Sequence, residues 1–472
     1  MTKVRTCDLA IIGAGPGGYV AALRAAQLGM TVTLVERDTL GGVCLNRGCI
    51  PTKAMLQAAA LAHEFRRAGE FGLVVSHPVT VNYPAVLARR DAVVGRLRNG
   101  VKGLLRHAKV DVVSGTASFL DATTISVTPG TASGAGAAEE MRAGHIIVAT
   151  GSRPLMLALP GADHPCVIDS DGALALTEVP ARLLVVGGGA VGCEWSTIFS
   201  RLGSEVTLVE LLPTLLPREE PESSTVLTKA LTHDGVTVKT GTSLVAVTEV
   251  AGGLRVDLSG ADSSALEVDY VLMAAGRRPN SEGLALEAAG VRLDPKGWIT
   301  TDRWQLTNVP TVLAIGDVTG QALLAHVASR QGIVAVEKLA GLTPTPVRAD
   351  RIPSVTYTDP EVASVGLSEA RAREAGLTVQ VGTFPFTASG RALASGVENG
   401  LVKVVAEARF GRVLGVHLVG AHVGELLAEA VLALELEATL DELTSVIRAH
   451  PTLSETIGEA ALAAGGHALH IV

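Results

Sequence analysis

The 472-residue sequence lacks several features that would each point to a definite class of protein. It has only five cysteines, too few for the disulfide framework of a secreted chain. No apolar run reaches the ~18 residues that a membrane-spanning helix needs. Near the N-terminus the apolar stretch from Leu9 to Ile12 is too short for the core of a secretory signal. We therefore expect a cytoplasmic protein that does not span a membrane.

An excess of positive charge is also missing. The chain carries 39 Lys and Arg against 47 Asp and Glu, a net charge of -8, which argues against a nucleic-acid surface. Hydrophobic residues make up 47% of the chain, enough for well-buried cores. Because a chain of this length exceeds what one core usually serves, we expect three or four domains.

What the sequence does contain is a cysteine pair, Cys44 and Cys49, within GGVCLNRGCIPTK. Four residues separate the two, which fits neither the two-residue zinc knuckle nor the two-residue thioredoxin motif. In a cytosolic chain such a disulfide is usually catalytic. A lone pair at this spacing is weak evidence, but this pair directly follows a nucleotide-binding fingerprint. The position favours a redox disulfide stacked against a flavin.

The fingerprint is a short apolar strand that runs into G-x-G-x-x-G and then into a helix-forming segment. Gly13 permits the tight turn, Gly15 lets the backbone approach a pyrophosphate, and Gly18 lets the helix pack close to the sheet. The pyrophosphate is expected on the helix N-terminus, and Glu36 is expected to accept hydrogen bonds from ribose hydroxyls. The alternative is a set of glycines in a plain turn.

The same pattern recurs at Gly187, Gly189 and Gly192, and TLVE ending at Glu210 matches TLVE ending at Glu36 without a gap. The chain is therefore expected to bind two dinucleotides. Because Glu210 is an acid with no arginine immediately after it, it would repel a 2'-phosphate, so the second site should prefer NAD over NADP. Cations elsewhere could compensate for this one position.

A third segment, the apolar strand 311–316 ending at Asp317, completes an order of elements that resembles the flavin-dependent pyridine nucleotide-disulfide oxidoreductases. In this family the matching Asp contacts the ribityl chain of FAD. Residues 149–152 and 275–280 resemble the two segments by which the family's chain crosses between domains; either alone could be an ordinary strand-to-loop exit. The resemblance implies further contacts with FAD by Arg37, Gly42, Lys53, Gly115, Thr150, Gly151 and Ala325, and with the NAD side by Glu194 and Gly276.

The resemblance also gives the two cysteines different roles. Pro51 suits the first turn of a helix that starts just after Cys49, and a helix N-terminus there would favour a thiolate. By resemblance, Cys49 is the sulfur that contacts the flavin, and Cys44 is the sulfur that exchanges with substrate. Lys53, one turn further on, matches a lysine that stands beside flavin N5 and pairs with the equivalent of Glu194. Read alone, Lys53 could be a solvated helix lysine.

Thiol-disulfide exchange needs a base for the attacking thiol and an acid for the leaving sulfur. His450 is the candidate, and Glu455, just inside an expected helix, could orient its imidazole. The pair matches the family's His-Pro-Thr...Glu motif, which reaches the disulfide of the other subunit. The resemblance therefore implies a homodimer with active sites built from two chains. Without it, His450 could equally be a satisfied interface histidine.

Within the family the chain is most similar to the enzymes that oxidise dihydrolipoamide, over residues 7 to about 464. Mercuric reductases and high-molecular-weight thioredoxin reductases carry C-terminal cysteine centres, whereas the last cysteine here is Cys193. Where glutathione reductase typically has a tyrosine gate, this chain has Ala190. Val43, Arg47 and Thr52 depart from the commonest active-site motif, and Arg47 adds a cation near the disulfide.

The implied reaction is oxidation of protein-bound dihydrolipoyl groups through the Cys44-Cys49 disulfide and FAD, with hydride transfer to NAD. Implied partners are lipoylated carrier domains of 2-oxoacid dehydrogenase complexes or the glycine-cleavage carrier protein. Alternatives are another flavin disulfide reductase, a soluble transhydrogenase, or a non-catalytic NAD-binding flavoprotein. The last would not require both cysteines, His450 and Glu455.

The expected fold class is α/β, with two Rossmann-like dinucleotide-binding domains for FAD and NAD and a C-terminal α+β dimerisation domain. We expect the first part of the FAD domain at 1–150, the NAD domain at 151–276, a segment completing the FAD domain at 277–345, and the interface domain at 346–472. In the last, 401–405 and 413–419 alternate as antiparallel strands, and 425–437 is an apolar helix suited to dimerisation. Residues 129–138, rich in Gly and Ala, are expected at a surface hairpin end.

Overall fold

The computed structural model describes residues 4–130, 137–261 and 263–471. The chain divides into two compact units, each made of separated stretches. The first unit comprises the described parts of 1–54, 85–155 and 276–347, and the second those of 55–84, 156–275 and 348–472. The four-part domain division made from the sequence stays a prediction.

The strands are, in chain order, β1 (Arg5–Ile12), β2 (Val32–Glu36), β3 (Asp111–Phe119), β4 (Thr124–Pro129), β5 (Glu139–Val148), β6 (Ser152–Pro154), β7 (Val167–Ile168), β8 (Arg182–Val186), β9 (Glu205–Glu210), β10 (Thr237–Thr240), β11 (Thr242–Val250), β12 (Gly253–Gly260), β13 (Ala265–Val268), β14 (Tyr270–Met273), β15 (Arg277–Pro279), β16 (Val312–Ala314), β17 (Ser354–Thr356), β18 (Glu361–Gly366), β19 (Val379–Pro385), β20 (Leu401–Glu407) and β21 (Val413–Gly420).

The α-helices are α1 (Pro16–Gln27), α2 (Gly42–Arg47), α3 (Cys49–Arg67), α4 (Tyr83–His107), α5 (Ser170–Ala175), α6 (Ala190–Leu202), α7 (Pro221–His233), α8 (Ala325–Leu339), α9 (Glu369–Glu374), α10 (Gly390–Ala394), α11 (Val423–Glu435), α12 (Leu440–Ser445) and α13 (Glu455–Ala464). Single 3-10 turns span Ala68–Phe71, Gly316–Thr319, Ala349–Arg351 and Phe386–Ala388. No described helix is long and apolar enough to cross a bilayer.

The first unit is built on a sheet in which β1 lies between β2 and β5, with all three strands parallel. β3 continues the sheet beside β2 and then pairs antiparallel with β4, which returns to β5; β16 joins β5 in parallel. One face packs on α1, α4 and α8, and a second apolar cluster covers the other. Burial on both faces is why β1 and β5 end in unbroken apolar runs.

The second unit repeats this arrangement in a sheet of order β10-β9-β8-β14-β7, whose paired strands are all parallel. A three-stranded antiparallel sheet, β11-β12-β13, packs against it through shared apolar residues. In both units a strand, a glycine turn and a helix follow one another at the fingerprint. The predicted α/β fold with two Rossmann-like folds is confirmed.

The second unit also contains a five-stranded antiparallel sheet of order β17-β18-β21-β20-β19. The strands predicted at 401–405 and 413–419 are its neighbours β20 and β21. Burial does not alternate along β21, where every residue is buried, because α7 and α11 both contact this strand. The apolar helix expected at 425–437 is α11, which lies two residues earlier and ends at Glu435.

The hairpin end predicted at 129–138 falls between β4 and β5, which are antiparallel neighbours. Residues 131–136 of that segment lie outside the described part of the chain.

Candidate active site

The first glycine fingerprint forms a tight turn whose backbone leaves no room for larger residues. Gly13 has φ +104°, and a Cβ placed there would lie 2.4 Å from the Ala149 carbonyl oxygen. A Cβ on Gly18 would lie 1.8 Å from the Gly13 carbonyl oxygen. Gly15 is the N-cap of α1, so no cap side chain occupies the N–H groups of the first turn. These groups are the donors that a pyrophosphate would meet.

Glu36, at the end of β2, is fixed by two backbone N–H groups. Its Oε2 accepts from Ala14 N at 2.7 Å and its Oε1 accepts from Asp38 N at 2.8 Å. Each carboxylate oxygen has a further lone pair, so the acid can still accept from ribose hydroxyls. Arg37, the adjacent residue, is exposed.

The cysteine segment lies directly against this turn. Gly41 N donates to the Ala14 carbonyl oxygen at 2.8 Å, which brings the start of α2 to the fingerprint. Gly42 has φ +62°, and a Cβ placed on it would lie 2.5 Å from Gly15 Cα. Glycine at position 42 therefore has a packing reason as well as a conformational one. Cys44 follows Gly42 by two residues in α2.

Cys44 and Cys49 are both in the thiol form and lie near disulfide distance of each other. Cys49 is the first residue of α3, one residue earlier than expected, and Lys53 follows one turn later in the same helix. The hydrogen bond with the Cys49 thiol, then burial and the charge of Cys49, raise the pKa of Cys44, and Lys53 opposes them. In the reduced pair Cys44 therefore holds its proton more firmly than an isolated thiol does.

Arg47, which departs from the commonest motif, has a partner. Its Nη2 lies 2.8 Å from Asp38 Oδ2, in a salt bridge whose side chains are both about half exposed. This pairing offsets the extra cation expected from the sequence. The neighbouring Asn46 donates to the carbonyl oxygens of Leu40 and Gly42 at 3.0 and 2.9 Å, and so holds α2 against the preceding loop.

The two segments that resemble crossovers pair with each other in the first unit, as β6 and β15. Before β6, Thr150 Oγ1 donates to the Asn280 carbonyl oxygen at 2.8 Å, and Asn280 Nδ2 donates back to the Thr150 carbonyl oxygen at 2.9 Å. Gly151, which links Thr150 to β6, has φ +71°. Thr150 lies beside the Gly13 turn, since a Cβ on Gly13 would lie 3.2 Å from Thr150 Cα.

Asp317 lies in the 3-10 turn after β16, where Ser152 Oγ donates to its Oδ2 at 2.6 Å. Arg277 Nε donates to the same Ser152 Oγ at 2.6 Å. Burial raises the pKa of the Asp317 carboxyl, while the Ser152 hydrogen bond and the Arg277 charge act against it. Ser152 and Arg277 were not singled out from the sequence. They could not have been, because their contact depends on the pairing of β6 with β15.

Two further FAD-side residues have local explanations. A Cβ on Gly115 would lie 2.6 Å from the Thr128 carbonyl oxygen, so glycine is needed where β3 packs beside β4. Ala325 is the first residue of α8. The roles of both toward FAD stay predictions.

The second fingerprint repeats the first in the second unit. A Cβ on Gly187 (φ +111°) would lie 2.6 Å from the Ala274 carbonyl oxygen, and one on Gly192 would lie 1.8 Å from the Gly187 carbonyl oxygen. Glu210 Oε2 accepts from Gly188 N at 2.6 Å and its Oε1 accepts from Leu212 N at 2.8 Å. Gly189 is the N-cap of α6. Both turns therefore fit a dinucleotide by the same geometry.

The remaining NAD-side residues are spread over both units. Gly276, with φ +131°, belongs to the first unit, immediately before β15. Glu194 in α6 is buried in the second unit, where its Oε1 accepts from Tyr357 N at 3.0 Å. Its predicted pairing with Lys53 stays a prediction.

His450 and Glu455 form the expected pair at the start of α13. His450 Nδ1 lies 2.9 Å from Glu455 Oε1, and the imidazole side chain is 81% exposed. Burial would raise the pKa of Glu455, but the hydrogen bonds from Thr452 N and His450 outweigh it and lower that pKa. A carboxylate on Nδ1 leaves Nε2 as the exposed nitrogen, which can take or give a proton.

Comparison with known proteins gives matches over nearly the whole chain. Residues 7–332 match the family model described as pyridine nucleotide-disulphide oxidoreductase, and residues 352–461 match the dimerisation domain of that family. The dihydrolipoyl dehydrogenase of Thermus scotoductus is 47% identical over 99% of this chain and 100% of its own length. That of Bacillus subtilis is 41% identical over 98% of this chain and 99% of its own.

Solved structures of two proteins are similar to this chain over nearly its whole length. The crystal structure of LpdA from Mycobacterium tuberculosis superposes with a TM-score of 0.89 at 29% identity, covering 96% of this chain and 99% of that one. The HOCl-induced flavoprotein disulfide reductase RclA from Escherichia coli gives a TM-score of 0.85 at 27% identity, with 96% and 99% covered.

Proposed function

This chain belongs to the pyridine nucleotide-disulphide oxidoreductase family, and we propose that it acts there as an FAD- and NAD-dependent dihydrolipoyl dehydrogenase. The observation that carries the proposal is the cysteine pair packed against a dinucleotide turn, with Gly42 against Gly15. Similarity to dihydrolipoyl dehydrogenases over the full chain supports the choice of substrate.

We propose that FAD is held in the first unit by the Gly13–Gly18 turn, Glu36 and Asp317. The N–H groups of the first turn of α1, which no side chain caps, suit its pyrophosphate, and Asp317 offers a partly buried carboxylate to a hydroxyl. Arg37, Gly42, Lys53, Gly115, Thr150, Gly151 and Ala325 complete the proposed set. When bound, FAD supplies the two-electron chemistry between the cysteine pair and NAD.

The cysteines carry out the exchange in two steps. A substrate thiolate attacks Cys44 Sγ, the Cys44-Cys49 bond breaks, and Cys49 is released as a thiolate. The substrate and Cys44 are then joined in a mixed disulfide. The second substrate thiolate then attacks the substrate sulfur of that mixed disulfide. This step forms the oxidised lipoyl ring and releases Cys44 as a thiolate. Cys44 then takes up a proton, as the direction of its pKa shift requires.

His450 moves the protons in this scheme. Its exposed Nε2 accepts a proton from a substrate thiol, and Glu455 on Nδ1 orients the ring and stabilises the imidazolium. The imidazolium then returns this proton to Cys44, and the proton of the second substrate thiol is released to solvent. We propose that the cysteines served by His450 are those of a second copy of the chain. The dimerisation-domain match over 352–461 supports a homodimer.

NAD is proposed to bind in the second unit at the Gly187–Gly192 turn, with Glu210 on its ribose hydroxyls. Glu194 and Gly276 stay predicted residues of the NAD side, and the NAD domain is proposed to span 151–276. Leu211, the residue after the acid, is apolar and 69% exposed, so it offers no cation to a 2'-phosphate. This supports a preference for NAD.

The proposed partners are lipoylated carrier domains, either of 2-oxoacid dehydrogenase complexes or of the glycine-cleavage system. The relatives' activity supports this class of partner, since dihydrolipoyl groups are carried on such domains. Cytoplasmic residence is also part of the proposal, and the small number of cysteines supports it.

The test is an assay of the purified holoprotein with dihydrolipoamide and NAD. We expect NADH to form, and Cys44→Ser to abolish it while FAD stays bound. The second candidate, favoured by the similarity to RclA, is a reductase of another disulfide. Rapid NADPH-driven disulfide reduction without NADH formation from dihydrolipoamide would assign the chain to that activity.

A further inference from the structure

Ser152 connects Arg277 to Asp317 through a single hydroxyl. The side chain is buried, at 2% exposure, and its Oγ lies 2.6 Å from both Arg277 Nε and Asp317 Oδ2. The direct distance between Arg277 Nε and Asp317 Oδ2 is longer, at 3.8 Å. The serine is therefore the shorter route between the two charges.

The direction of these hydrogen bonds follows from the chemistry of the groups. A guanidinium only donates, so Ser152 Oγ must accept from Arg277 Nε. The one hydroxyl proton is then free for Asp317, and a carboxylate only accepts. Each bond involves a charged group, and such bonds are stronger than neutral ones. The serine thus orients a particular oxygen of Asp317, Oδ2.

Arg277 is itself held in place by the pairing of β6 with β15. Its Nη2 donates to the Ser152 carbonyl oxygen at 2.9 Å while Nε donates to Oγ, so two donors of one guanidinium bind one residue. A lysine ammonium lacks this fixed two-donor geometry. On the two strands, Arg277 is opposite Pro154 and Ser152 is opposite Pro279. The contact therefore depends on the strand register.

Asp317 needs such support because it is mostly buried. Burial raises the pKa of its carboxyl, and the Ser152 hydrogen bond and the Arg277 charge are the two influences that oppose this. Removing either should leave a carboxyl that is less well oriented and holds its charge less readily.

We propose that Arg277 and Ser152 are positioning residues for FAD, which act through Asp317 to hold its carboxylate toward the cofactor. The inference rests on the proposed function, in which Asp317 contacts FAD. Neither residue needs to touch FAD itself. Arg277 acts through Ser152, and Ser152 acts through Asp317.

The test measures the dissociation constant of FAD from the apoprotein by flavin fluorescence. Arg277→Met and Ser152→Ala should each weaken FAD binding about tenfold to hundredfold, the range for loss of a charge-assisted hydrogen bond. The double variant should lose less FAD affinity than the product of the two single losses, because part of the effect of Arg277 on Asp317 passes through the serine. Arg278→Met, an exposed arginine next along β15, is the matched control and should bind FAD as the wild type does.

Thermal unfolding of each apoprotein distinguishes misfolding from weakened FAD binding. If Arg277→Met does not fold, the smaller change Ser152→Ala still tests the relay. Wild-type FAD affinity in Arg277→Met, or a double variant in which the two losses multiply, would overturn the relay. Asp317→Asn distinguishes the two proposals. If it weakens FAD binding while Arg277→Met does not, only the relay falls. If Asp317→Asn also binds FAD normally, the proposed FAD contact falls with it.

Discussion

The two glycine fingerprints have the same internal geometry but different surroundings. In each, the first glycine is pressed against a carbonyl oxygen of a neighbouring strand exit, and the acid 23 positions on accepts from two backbone N–H groups. Around the first turn, a Cβ on Gly42 would meet Gly15, and one on Gly17 would lie 3.1 Å from the Ala328 carbonyl oxygen of α8. The first turn is therefore covered on two sides.

The second turn is covered at Gly188, where a Cβ would lie 2.5 Å from Leu215 Cδ2, but it is open at Gly189. In the described part of the chain, a Cβ on Gly189 has no heavy atom within 4 Å outside its own turn. Val191, which matches Gly17 in position, is 39% exposed. A covered turn suits a cofactor that stays bound, and an open turn suits one that exchanges at each turnover. The same motif thus serves the proposed FAD and NAD sites differently because of what packs around it.

The largest expected effect concerns the cysteines beside the covered turn and the base that serves them. His450→Gln should lower NADH formation by roughly 10²–10⁴-fold, the loss expected for a positioned acid-base group, with FAD content unchanged. Reassociating the inactive Cys44→Ser and His450→Gln chains should restore activity, because one site of each mixed dimer regains its cysteines and its histidine. The measurement is NADH formation after dissociation and reassociation.

Each variant taken through the same treatment alone is the control and should stay inactive. Verified mixed dimers without activity would mean that His450 serves its own chain or none, and the two-chain site would be abandoned.

A methyl group added to the covered turn should damage the protein before any ligand binds. Gly42→Ala adds a backbone overlap and a left-handed φ, and should lower the free energy of unfolding of the apoprotein by about 2–5 kcal/mol. Denaturant unfolding measures this. Gly29→Ala is the matched control, because Gly29 has φ +84° with no described neighbour within 4 Å of its Cβ. It should cost only the conformational part, about 1–2 kcal/mol; equal losses would contradict the covered turn.

The same methyl group added at Gly189 in the second turn should hardly change the stability of the apoprotein but should weaken NAD binding. Gly189→Ala should change apoprotein stability by no more than about 1 kcal/mol, since the N-cap has extended backbone there. The KM for NAD should rise about tenfold, because the backbone must approach the pyrophosphate closely. Steady-state kinetics and thermal unfolding together give the answer. A loss of stability like that of Gly42→Ala would remove the difference between the two turns.

The smallest expected effect concerns the acid of the open turn. Glu210→Ser combined with Leu211→Arg should shift the ratio of kcat/KM for NAD and NADP about tenfold toward NADP, because an arginine can pair with the 2'-phosphate. Leu211→Arg alone is the control for a general effect of the new cation. An unchanged ratio in the combined variant would show that the second fingerprint is not the nicotinamide site.

Local features of the fold and site could be predicted from the sequence. The helix at Cys49, the strands before both fingerprints and the pair at His450 and Glu455 depend on residues close together in the chain. The relay from Arg277 to Ser152 could not be predicted, because it joins residues 125 positions apart through a strand register. The packing of Gly42 on Gly15 and the pairing of Arg47 with Asp38 were also missed, because both depend on how the loop before α2 folds back, which no sequence pattern specifies.

The double hydrogen bonding of Glu36 and Glu210 has a consequence for the engineering of coenzyme choice. Each acid stabilises its own loop even without a bound nucleotide, since it accepts one hydrogen bond from an N–H in the glycine turn and one from an N–H just after its strand. A redesign that replaces Glu210 with a shorter residue therefore trades ligand preference against loop order. A glutamine at position 210 keeps a side-chain acceptor of the same length, so Glu210→Gln should separate the effect on coenzyme preference from the effect on loop order. A change of coenzyme preference is therefore limited by the need to keep the loop folded.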